Sequence, residues 1–479
     1  MQEKLNYEKL GLKCGLEIHQ QLDVSKLFCN CPSLLRQEEP DFTVRRKLHV
    51  VAGESGEVDV AAAYQASLGK EFIYQGYDTT CLVELDEEPP HEINKETLKI
   101  VLHISFLLNA KVLPITQIMR KTVIDGSNTS GFQRTILIAR GGWLETSRGK
   151  IGIETVCLEE DSARIINAKE GIFRLDRLGI PLIEIATLPD IKTPAQAREV
   201  ALHIGEILRA CRVKRGLGTI RQDVNLSIRG GARVELKGFQ DIRNIERAIE
   251  IEVKRQSDLI RKGKSVPEVR KVLPSGESEF LRPMPGSARM YPETDLPLLR
   301  ISRDMINEAK KSLPKLKKDI KRELEGEGLN QEMISLLLKQ DKIEEFKELL
   351  KIIKEPHFIG KILLILPKEI ASHEKISLSK VDKILNKDVL SNVLENVKKG
   401  KISESGVKHI LERIVKGESH EKVFKVKKEN IHVIEEKILK MLKEKPGLSA
   451  NAYMGLIMEE FKGKISGRDV MEIIRKYVR

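Results

Sequence analysis

Alternating apolar and polar residues predict β-strands through most of the first 300 residues. In residues 15–22, Leu16 and Ile18 fall on one face of a strand, and Glu17 and His19 fall on the other. Glycine and proline punctuate the strand-like stretches. The predicted strands are residues 13–22, 58–62, 114–119, 135–140, 151–157, 182–187, 223–228 and 233–237.

Helical spacing of apolar residues appears between these strands and dominates after residue 299. In the first part, helices are predicted at residues 94–109, 193–211 and 240–262. The second part reads as short amphipathic helices with lysine-rich outer faces. They are predicted at residues 303–324, 331–352, 358–365, 379–385, 388–398, 404–416, 431–443, 450–461 and 466–477. The lysine-rich residues 423–430 predict a linker or domain edge between two helical units.

The composition indicates a multidomain chain from a reducing compartment. A length of 479 residues predicts two to four domains, and a hydrophobic content of 41% suffices for real cores. No apolar stretch approaches a membrane span, and the N-terminus lacks the apolar core of a secretion signal. None of the six cysteines is needed to staple a small fold. We therefore expect a cytoplasmic protein without membrane association.

The positive charge is concentrated in the second part of the chain. The formal net charge is +12, and residues 301–479 hold 39 Lys and Arg against 29 Asp and Glu. Such a surplus at one end suggests a polyanionic partner there. A solvated, lysine-rich surface explains the same numbers.

Several predicted strands carry acidic or imidazole side chains where apolar ones are expected. Glu17 and His19 share a strand face, residues 158–161 read Leu-Glu-Glu-Asp, and Glu184 interrupts an apolar run. A buried carboxylate is costly unless it is paired, hydrogen-bonded or bound to a cation. Brought together from separate strands, these groups predict a site for a hard cation such as Mg²⁺.

A polar turn at residues 125–134 is a candidate phosphate site. Gly126 and Ser127 contribute backbone N–H groups and a hydroxyl, and Arg134 ends the turn with a guanidinium. Plain hairpins use the same residues, and no Walker-type loop occurs in the chain. Arg221 begins a further strand whose polar face either contacts phosphate or is an ordinary sheet surface.

Several of these segments resemble the GatB/GatE family in order along the chain. The segments are residues 15–22, 26–32, 158–161 and 181–185. Closer similarity to the archaeal GatE branch comes from residues 20–21, 125–134, 221–227 and 289–295. The family comprises the kinase and transamidase subunits of the enzymes that convert glutamyl-tRNA(Gln) to glutaminyl-tRNA(Gln).

The resemblance implies an α+β catalytic cradle domain followed by all-α helical and tail domains. The cradle domain corresponds to residues 1–300, the helical domain to residues 301–420 and a tRNA-binding helical tail to residues 421–479. The implied activity is phosphorylation of the glutamyl side chain by ATP, followed by displacement of the phosphate by ammonia. The chain has no amidase signature of its own. The implied ammonia source is an asparaginase-like partner of the GatD type, in a heterotetramer of two GatD and two GatE chains.

Site residues also follow from the resemblance. His19, Glu160 and Glu184 match the family's Mg²⁺ ligands and are the implied catalytic residues, with Glu17 as a further ligand. Gly126, Ser127, Arg134 and Arg221 are the implied ATP contacts. Glu159 alternates with Glu160, so we expect it to face the other way, in a salt bridge with Arg164 or a similar partner.

Two departures from the family pattern accompany this resemblance. Many bacterial GatB proteins carry a Cys-x-Cys and a later Cys-x-x-Cys, a set that would suit zinc. Here Cys29 and Cys31 are followed only by an isolated Cys81, so we expect no structural zinc. Most GatE proteins also carry a large insertion related to a domain of aspartyl-tRNA synthetases. The corresponding residues 272–280 hold only a turn, which predicts a minimal version of the protein.

Two alternatives remain open from the sequence. One is the GatB-type subunit of a three-subunit Asp/Glu-tRNA amidotransferase. The other is a non-catalytic tRNA-binding scaffold with a basic helical tail. The carboxylates predicted inside strands favour catalysis over the scaffold.

Overall fold

The computed structural model describes residues 5–52, 56–239, 241–284, 286, 289–419, 423, 431–460 and 467–477. The chain divides into two compact units, Met1–Leu316 and Lys317–Arg479. The first unit extends beyond the predicted boundary at residue 300, because Ala309 belongs to its hydrophobic core. Lys99 also forms a salt bridge of 2.9 Å with Glu308 inside this unit.

The first unit contains strands of three sheets and five helices among its described residues. The strands are β1 (Lys13–Gln21), β2 (Phe42–Arg46), β3 (Phe72–Gly76), β4 (Lys111–Val112), β5 (Ile115–Thr116), β6 (Ile118–Thr122), β7 (Phe132–Thr146), β8 (Gly149–Glu160), β9 (Arg164–Asn167), β10 (Ile172–Arg174), β11 (Pro181–Thr187), β12 (Ile220–Ser227), β13 (Val234–Phe239), β14 (Glu268–Val272), β15 (Ser278–Pro283), β16 (Met290–Pro292) and β17 (Leu299–Arg300). The helices are α1 (Val60–Ser67), α2 (Lys95–Leu107), α3 (Pro194–Ala210), α4 (Asn244–Arg261) and α5 (Arg303–Lys311).

The central sheet runs in the order β15-β14-β13-β12-β1-β11-β8-β7-β6-β16, with β4 also paired to β7. Strand β1 lies in its middle and pairs antiparallel with β11 and β12. Leu16 and Ile18 of β1 are buried in a core shared with residues of α2 and α3. The polar positions of β1 therefore lie on the face of the sheet turned away from this core.

The starts of helices α2 and α3 follow local capping rules. The Asn94 side chain accepts hydrogen bonds from the backbone N–H groups of Glu96 and Thr97 at the start of α2. Thr193 caps α3 in the same way, with Pro194 as its first residue. These two predicted helices are confirmed to within two residues at each end.

A smaller sheet, in the order β2-β3-β10-β9, lies beside the turn at residues 125–134. Phe72, Tyr74 and Phe173 form its small hydrophobic core, with ring centroids about 6 Å apart. The Tyr74 hydroxyl donates a hydrogen bond of 2.9 Å to the carbonyl of Gly126. This sheet therefore supports the polar turn from one side.

The second unit is helical throughout its described residues. Its helices are α6 (Lys317–Gly326), α7 (Gln331–Gln340), α8 (Ile343–Leu350), α9 (Pro356–Gly360), α10 (Leu366–His373), α11 (Leu378–Ile384), α12 (Lys387–Lys398), α13 (Val407–Val415), α14 (Ile431–Glu444), α15 (Ala450–Glu460) and α16 (Gly467–Tyr477), with a π-helical turn at Lys361–Ile365 and a 3₁₀ turn at Glu404–Gly406. Described residues between Leu324 and Ile414, together with Val423, build one core. Ile438, Tyr453 and Ile474 belong to a separate one. A linker was predicted at residues 423–430, and of these only Val423 is among the described residues.

Three predictions about elements were wrong. Residues 58–62 do not form a strand, because the Asp59 carboxylate accepts from the Ala62 N–H and starts the alanine-rich helix α1. The helix predicted at 303–324 is interrupted around Pro314. The helix predicted at 331–352 breaks at Asp341, whose φ of 56° is left-handed.

The fold class, an α+β unit followed by helices, is confirmed. Strands β14 and β15 form an antiparallel hairpin, closed by a 2.8 Å hydrogen bond from the Leu273 N–H to the Glu277 carbonyl. Residues 272–280, where most GatE proteins were expected to carry an insertion, thus contain only a tight turn. Across the described part of the chain, none of the helices combines the length and apolar character that a membrane span requires.

Candidate active site

Three predicted strands bring an imidazole and two carboxylates together on the polar face of the central sheet. His19 on β1 and Glu184 on β11 are direct cross-strand partners, and His19 Nε2 lies 3.0 Å from Glu184 Oε2. Glu159 on the next strand, β8, completes the group, and one ligand atom of each residue lies within 4.8 Å of the others. We call these three residues the carboxylate–imidazole cluster.

Lys121 closes this cluster on one side. Its Nζ lies 2.9 Å from Glu159 Oε1 and 3.3 Å from Glu184 Oε2. Gln133 donates a hydrogen bond of 3.1 Å to the other oxygen of Glu159. Neither Lys121 nor Gln133 was predicted as a site residue; the two are direct cross-strand partners on β6 and β7.

The electrostatics of the cluster favour charged groups despite burial. Burial raises the pKa of Glu184, but Lys121 and His19 more than offset it, so the pKa lies below its usual range. Burial lowers the pKa of His19, but the hydrogen bond with Glu184 overrides it and the net pKa is raised. The Glu184 carboxylate therefore faces His19 and Lys121 as an anion.

Glu160 lies apart from this cluster. One of its carboxylate oxygens accepts from the backbone N–H of Arg134 at 3.0 Å and lies 3.3 Å from the Arg134 guanidinium. The structure therefore does not bring Glu160 together with His19 and Glu184, and its neighbour Glu159 takes that position. The salt bridge predicted for Glu159 is present, with Lys121 at 2.9 Å and not with Arg164, which pairs with Asp176 at 2.6 Å.

Glu17 belongs to a second acidic group on the same face. Glu17, Asp223 and Glu235 place one carboxylate oxygen each within 4.8 Å of one another. Lys237 Nζ lies 2.6 Å from both Asp223 and Glu235. Burial and the charge of Glu184 raise the pKa of Glu17 to about 7. Glu17 is therefore not one of the three members of the cluster, although the charge of Glu184 raises its pKa.

Arg221, predicted to contact ATP, is held by Asp161. The Arg221 guanidinium donates to Asp161 Oδ1 at 2.7 Å, and Gln21 donates to Asp161 Oδ2 at 2.6 Å. Burial raises the pKa of Asp161, but Arg221 and Arg177 outweigh it and the net pKa is lowered. Asp161 was not predicted as a site residue, although it ends the acidic run that contains Glu159.

The turn at residues 125–134 is packed tightly between the two sheets. Gly126 has φ +90°, and a Cβ there would lie 2.4 Å from a ring carbon of Phe72. The Ser127 carbonyl accepts from the Ala163 N–H at 2.8 Å. Arg134 is buried, and its Nε donates to Glu293 at 2.8 Å in addition to the contact with Glu160. In this structure the guanidinium is thus neutralised by two carboxylates.

The carboxylate–imidazole cluster fits a divalent cation. Two carboxylates and one imidazole within 4.8 Å supply anionic oxygen and nitrogen donors. Oxygen donors of this kind suit Mg²⁺, which keeps some of its ligands from water and substrate phosphates. Lys121 shows that a positive charge is already favoured between Glu159 and Glu184.

The cysteines are arranged differently from what the sequence suggested. Cys81 is not isolated, because its sulfur lies with those of Cys29 and Cys31 and with a carboxylate oxygen of Glu84, all within 4.8 Å of one another. The count of two thiols that led to the expectation of no zinc was therefore too low.

A comparison with protein families identifies the chain. The model of the GatB/GatE catalytic domain matches residues 12–307, which contain every site residue described above. The chain therefore belongs to the GatB/GatE family.

Similar proteins extend this relationship over almost the whole chain. The E subunit of glutamyl-tRNA(Gln) amidotransferase from Methanocaldococcus jannaschii is 36% identical, with 99% of this chain and all of the relative covered. The corresponding proteins of Archaeoglobus fulgidus and Pyrobaculum neutrophilum are 33% and 34% identical, with at least 98% of each chain covered. The first alignment spans 632 positions, more than the 479 residues of this chain, so that relative carries residues absent here.

Proposed function

We propose that this chain is the subunit of a glutamyl-tRNA(Gln) amidotransferase that phosphorylates the tRNA-bound glutamate and then aminates it. The observation that carries the proposal is the carboxylate–imidazole cluster of His19, Glu159 and Glu184. It lies in the domain shared with the family, in a chain similar end to end to proteins named as the E subunits of such enzymes. An inert tRNA-binding scaffold would not need buried carboxylates on a polar sheet face.

The first step is transfer of the γ-phosphoryl group of ATP to the glutamyl side chain. A carboxylate oxygen of the glutamate forms a bond to phosphorus, the bond to the β-phosphate oxygen breaks, and ADP leaves. A Mg²⁺ ion held by His19, Glu159 and Glu184 would neutralise phosphate charge during this transfer. The hydrogen bond of 3.0 Å with Glu184 fixes the orientation of the His19 ring.

Positive side chains around the cluster support binding of the anionic reactants. Lys121 lies at the cluster and Arg221 at the edge of the same face. Both side chains form salt bridges with carboxylates here. When phosphate binds, each must either break its salt bridge or contact the phosphate and the carboxylate together. Gly126, Ser127 and Arg134 remain proposed ATP contacts. Arg134 would have to exchange Glu160 or Glu293 for a phosphate oxygen.

The second step replaces the phosphate with ammonia. The nitrogen forms a bond to the acyl carbon, the bond to the phosphate oxygen breaks, and one proton leaves the nitrogen. Glu17 is suited to accept a proton near neutral pH, because burial and Glu184 raise its pKa to about 7. We propose that an asparaginase-like amidase subunit supplies the ammonia, in an assembly of two copies of each chain.

The experiment is an amidation assay with the purified chain, Glu-tRNA(Gln), ATP and Mg²⁺. With free ammonium, the chain alone should form Gln-tRNA(Gln). With asparagine or glutamine as nitrogen donor, it should do so only after addition of the amidase subunit. Release of ammonia from glutamine by the isolated chain would refute the division of labour. Equal amidation of Asp-tRNA(Asn) would point instead to a three-subunit type of enzyme.

A further inference from the structure

A cleft in the helical second unit lies outside the proposed active site. Its volume is about 600 Å³, which is within the range of pockets that bind small organic molecules. One wall is the segment from Lys354 to Lys361, and the other is formed by Glu404 and Ser405 of the short 3₁₀ turn. We propose that this cleft binds a nucleoside phosphate, with the base against Phe358 and the phosphate paired with Lys354 and Lys361.

Both walls of the cleft are anchored in the larger helical core. Ile359 and Ile362 are fully buried on one side, and Val407, which follows the 3₁₀ turn, is fully buried on the other. A Cβ on Gly360 would lie 2.9 Å from Met333 Sδ, so the first wall packs closely against helix α7. The core therefore holds the backbone that carries the lining side chains.

The first wall contains a helical irregularity. Helix α9 (Pro356–Gly360) continues directly into the π-helical turn at Lys361–Ile365. Such turns are rare and are found frequently at functional sites. His357 and Lys361 are four positions apart at this junction, and both line the cleft. The π-helical turn thus buries its central apolar residues in the core, while its first residue, Lys361, faces the cleft.

The basic groups of the cleft have no carboxylate partners within the described part of the chain. Lys354, His357 and Lys361 line the cleft, and none of them forms a salt bridge with another described residue. Lys387 of the same unit, by contrast, lies 2.8 Å from Glu348. Cations that are not already neutralised are available to pair with an anionic ligand such as a phosphate group.

The two acidic residues of the cleft bind each other instead of the lysines. Glu355 and Glu404 come from opposite walls, and their side chains are hydrogen-bonded to each other. Such a bond requires a proton between the two carboxyl groups. Burial and the neighbouring Glu355 carboxylate raise the pKa of Glu404, which favours that proton. The protonated pair offers both a donor and acceptors, as the edge of a nucleic-acid base requires.

Apolar surface for a base lies beside these polar groups. Pro356 and Phe358 line the cleft, and Phe358 also packs against the helical core. Bases stack on aromatic rings whatever their sequence, whereas a site for a simple anion needs no ring. Phosphate, base edge and base face together define a nucleoside phosphate. A free nucleotide carries these groups, and so does an unpaired nucleotide of a bound tRNA.

Binding of AMP and of uncharged tRNA(Gln) to the full-length chain tests the proposal. The cleft variants are Phe358→Ala, Lys361→Ala and Ser405→Trp, the last of which adds a bulky side chain to the cleft without changing its charge. The matched control is Lys368→Ala, an exposed lysine on α10 that does not line the cleft. Because the first unit is proposed to bind ATP, only AMP binding that the cleft variants weaken is assigned to this site.

The two sources of the ligand give different results. For a free nucleotide, wild type and Lys368→Ala should bind AMP equally, and Phe358→Ala should bind it roughly 5- to 100-fold more weakly, as expected for the loss of one stacked base. For a tRNA nucleotide, the cleft variants should leave AMP binding unchanged. Phe358→Ala and Ser405→Trp should then raise the Kd for tRNA at an unchanged salt dependence. Lys361→Ala should raise it and lower the salt slope by about one.

Two results would overturn the proposal. Wild-type affinity of all three cleft variants for both AMP and tRNA would show that no nucleotide enters the cleft. A weaker tRNA affinity in Lys361→Ala alone would reduce the site to a surface phosphate contact. If circular dichroism shows that Phe358→Ala is unfolded, Ser405→Trp decides the outcome, because it removes no core side chain. None of these readouts depends on amidation, so this proposal and the proposed function fail separately.

Discussion

Glu159 and Glu160 are neighbours on strand β8, yet their carboxylates belong to different networks. Glu159 contacts Lys121 and lies in the cluster with His19 and Glu184. Glu160 is bound by the backbone and guanidinium of Arg134. Because successive side chains of a strand point to opposite faces, only one of the two can reach the cluster. Glu159 is therefore the proposed cation ligand, whereas Glu160 forms a structural ion pair with Arg134.

Replacing each glutamate separately should affect activity in one variant and stability in the other. Glu159→Gln removes a charged donor from the cluster, so Mg²⁺-dependent ADP formation with Glu-tRNA(Gln) should fall by at least roughly 100-fold, about 2.7 kcal/mol. Glu160→Gln leaves the cluster intact but weakens a buried ion pair. It should destabilise the first unit by about 1–3 kcal/mol. The single tryptophan, Trp143 on β7, reports unfolding of this unit in urea. The opposite result would contradict the assignment. If Glu160→Gln were inactive at normal stability and Glu159→Gln were active, Glu160 and not Glu159 would be the cation ligand.

Loss of either member of the His19–Glu184 pair should abolish phosphorylation without loss of the fold. Glu184→Gln removes the anion that orients His19 and pairs with Lys121, and His19→Ala removes the imidazole donor. ADP formation dependent on Glu-tRNA(Gln) measures the effect, and tRNA affinity should stay near the wild-type value. His203→Ala is the matched control, because that imidazole lies on α3 and contacts a backbone carbonyl. Near-normal amidation by either cluster variant would remove the pair from the mechanism.

The raised pKa of Glu17 should make stability depend on pH in a defined window. Its pKa is 4.5 in the unfolded chain and about 7 in the folded one, so the folded state holds the proton more strongly. The resulting stabilisation is fully present below pH 4.5 and is lost as the pH rises through about 7. Glu17→Gln lacks this titration. Its free energy of unfolding relative to wild type should increase across the window by up to about 3 kcal/mol.

Urea unfolding of both proteins at several pH values measures this difference. A difference that stays flat between pH 4.5 and 7 would contradict the raised pKa. Ammonium-dependent amidation by wild type should rise through about pH 7 if Glu17 accepts the proton, and Glu17→Gln should lose that dependence.

The helical second unit should supply most of the tRNA affinity. Residues 317–479 hold a surplus of Lys and Arg, 35 against 27 acidic residues, and phosphate contacts release counterions. Removal of residues 431–479 should raise the Kd for tRNA and flatten its dependence on salt. The cut keeps Val423, which is fully buried in the larger helical core, and removes the separate core of Ile438 and Ile474.

Binding of tRNA by full-length and truncated chains across a salt series tests this prediction. ADP formation at saturating Glu-tRNA(Gln) is the control, because the cluster lies entirely before residue 190. Equal affinities and equal salt slopes would show that the charge of the last helices is only surface solvation. The tRNA site would then lie in the rest of the chain.

Local sequence patterns determined the strands at the middle of the central sheet and the longest helices of the first unit. Alternation placed His19 and Glu17 opposite the apolar Leu16 and Ile18, and burial of these two residues explains why that prediction is confirmed. Capping residues determined where α2 and α3 begin. Residues 58–62 show the limit of such patterns, since one capping aspartate and three alanines outweighed a short apolar alternation.

The tertiary structure decided which polar side chains meet. The choice between Glu159 and Glu160 depends on which side of β8 faces the polar surface, and a shift of one residue in strand position would exchange them. Cys81 reaches Cys29 only because two turns about 50 residues apart fold against each other. The sequence by itself determined the family, the strand faces and the kinds of donor available. Pairing between strands remote in sequence decided the members of each cluster, because cross-strand contacts depend on register and not on local propensity.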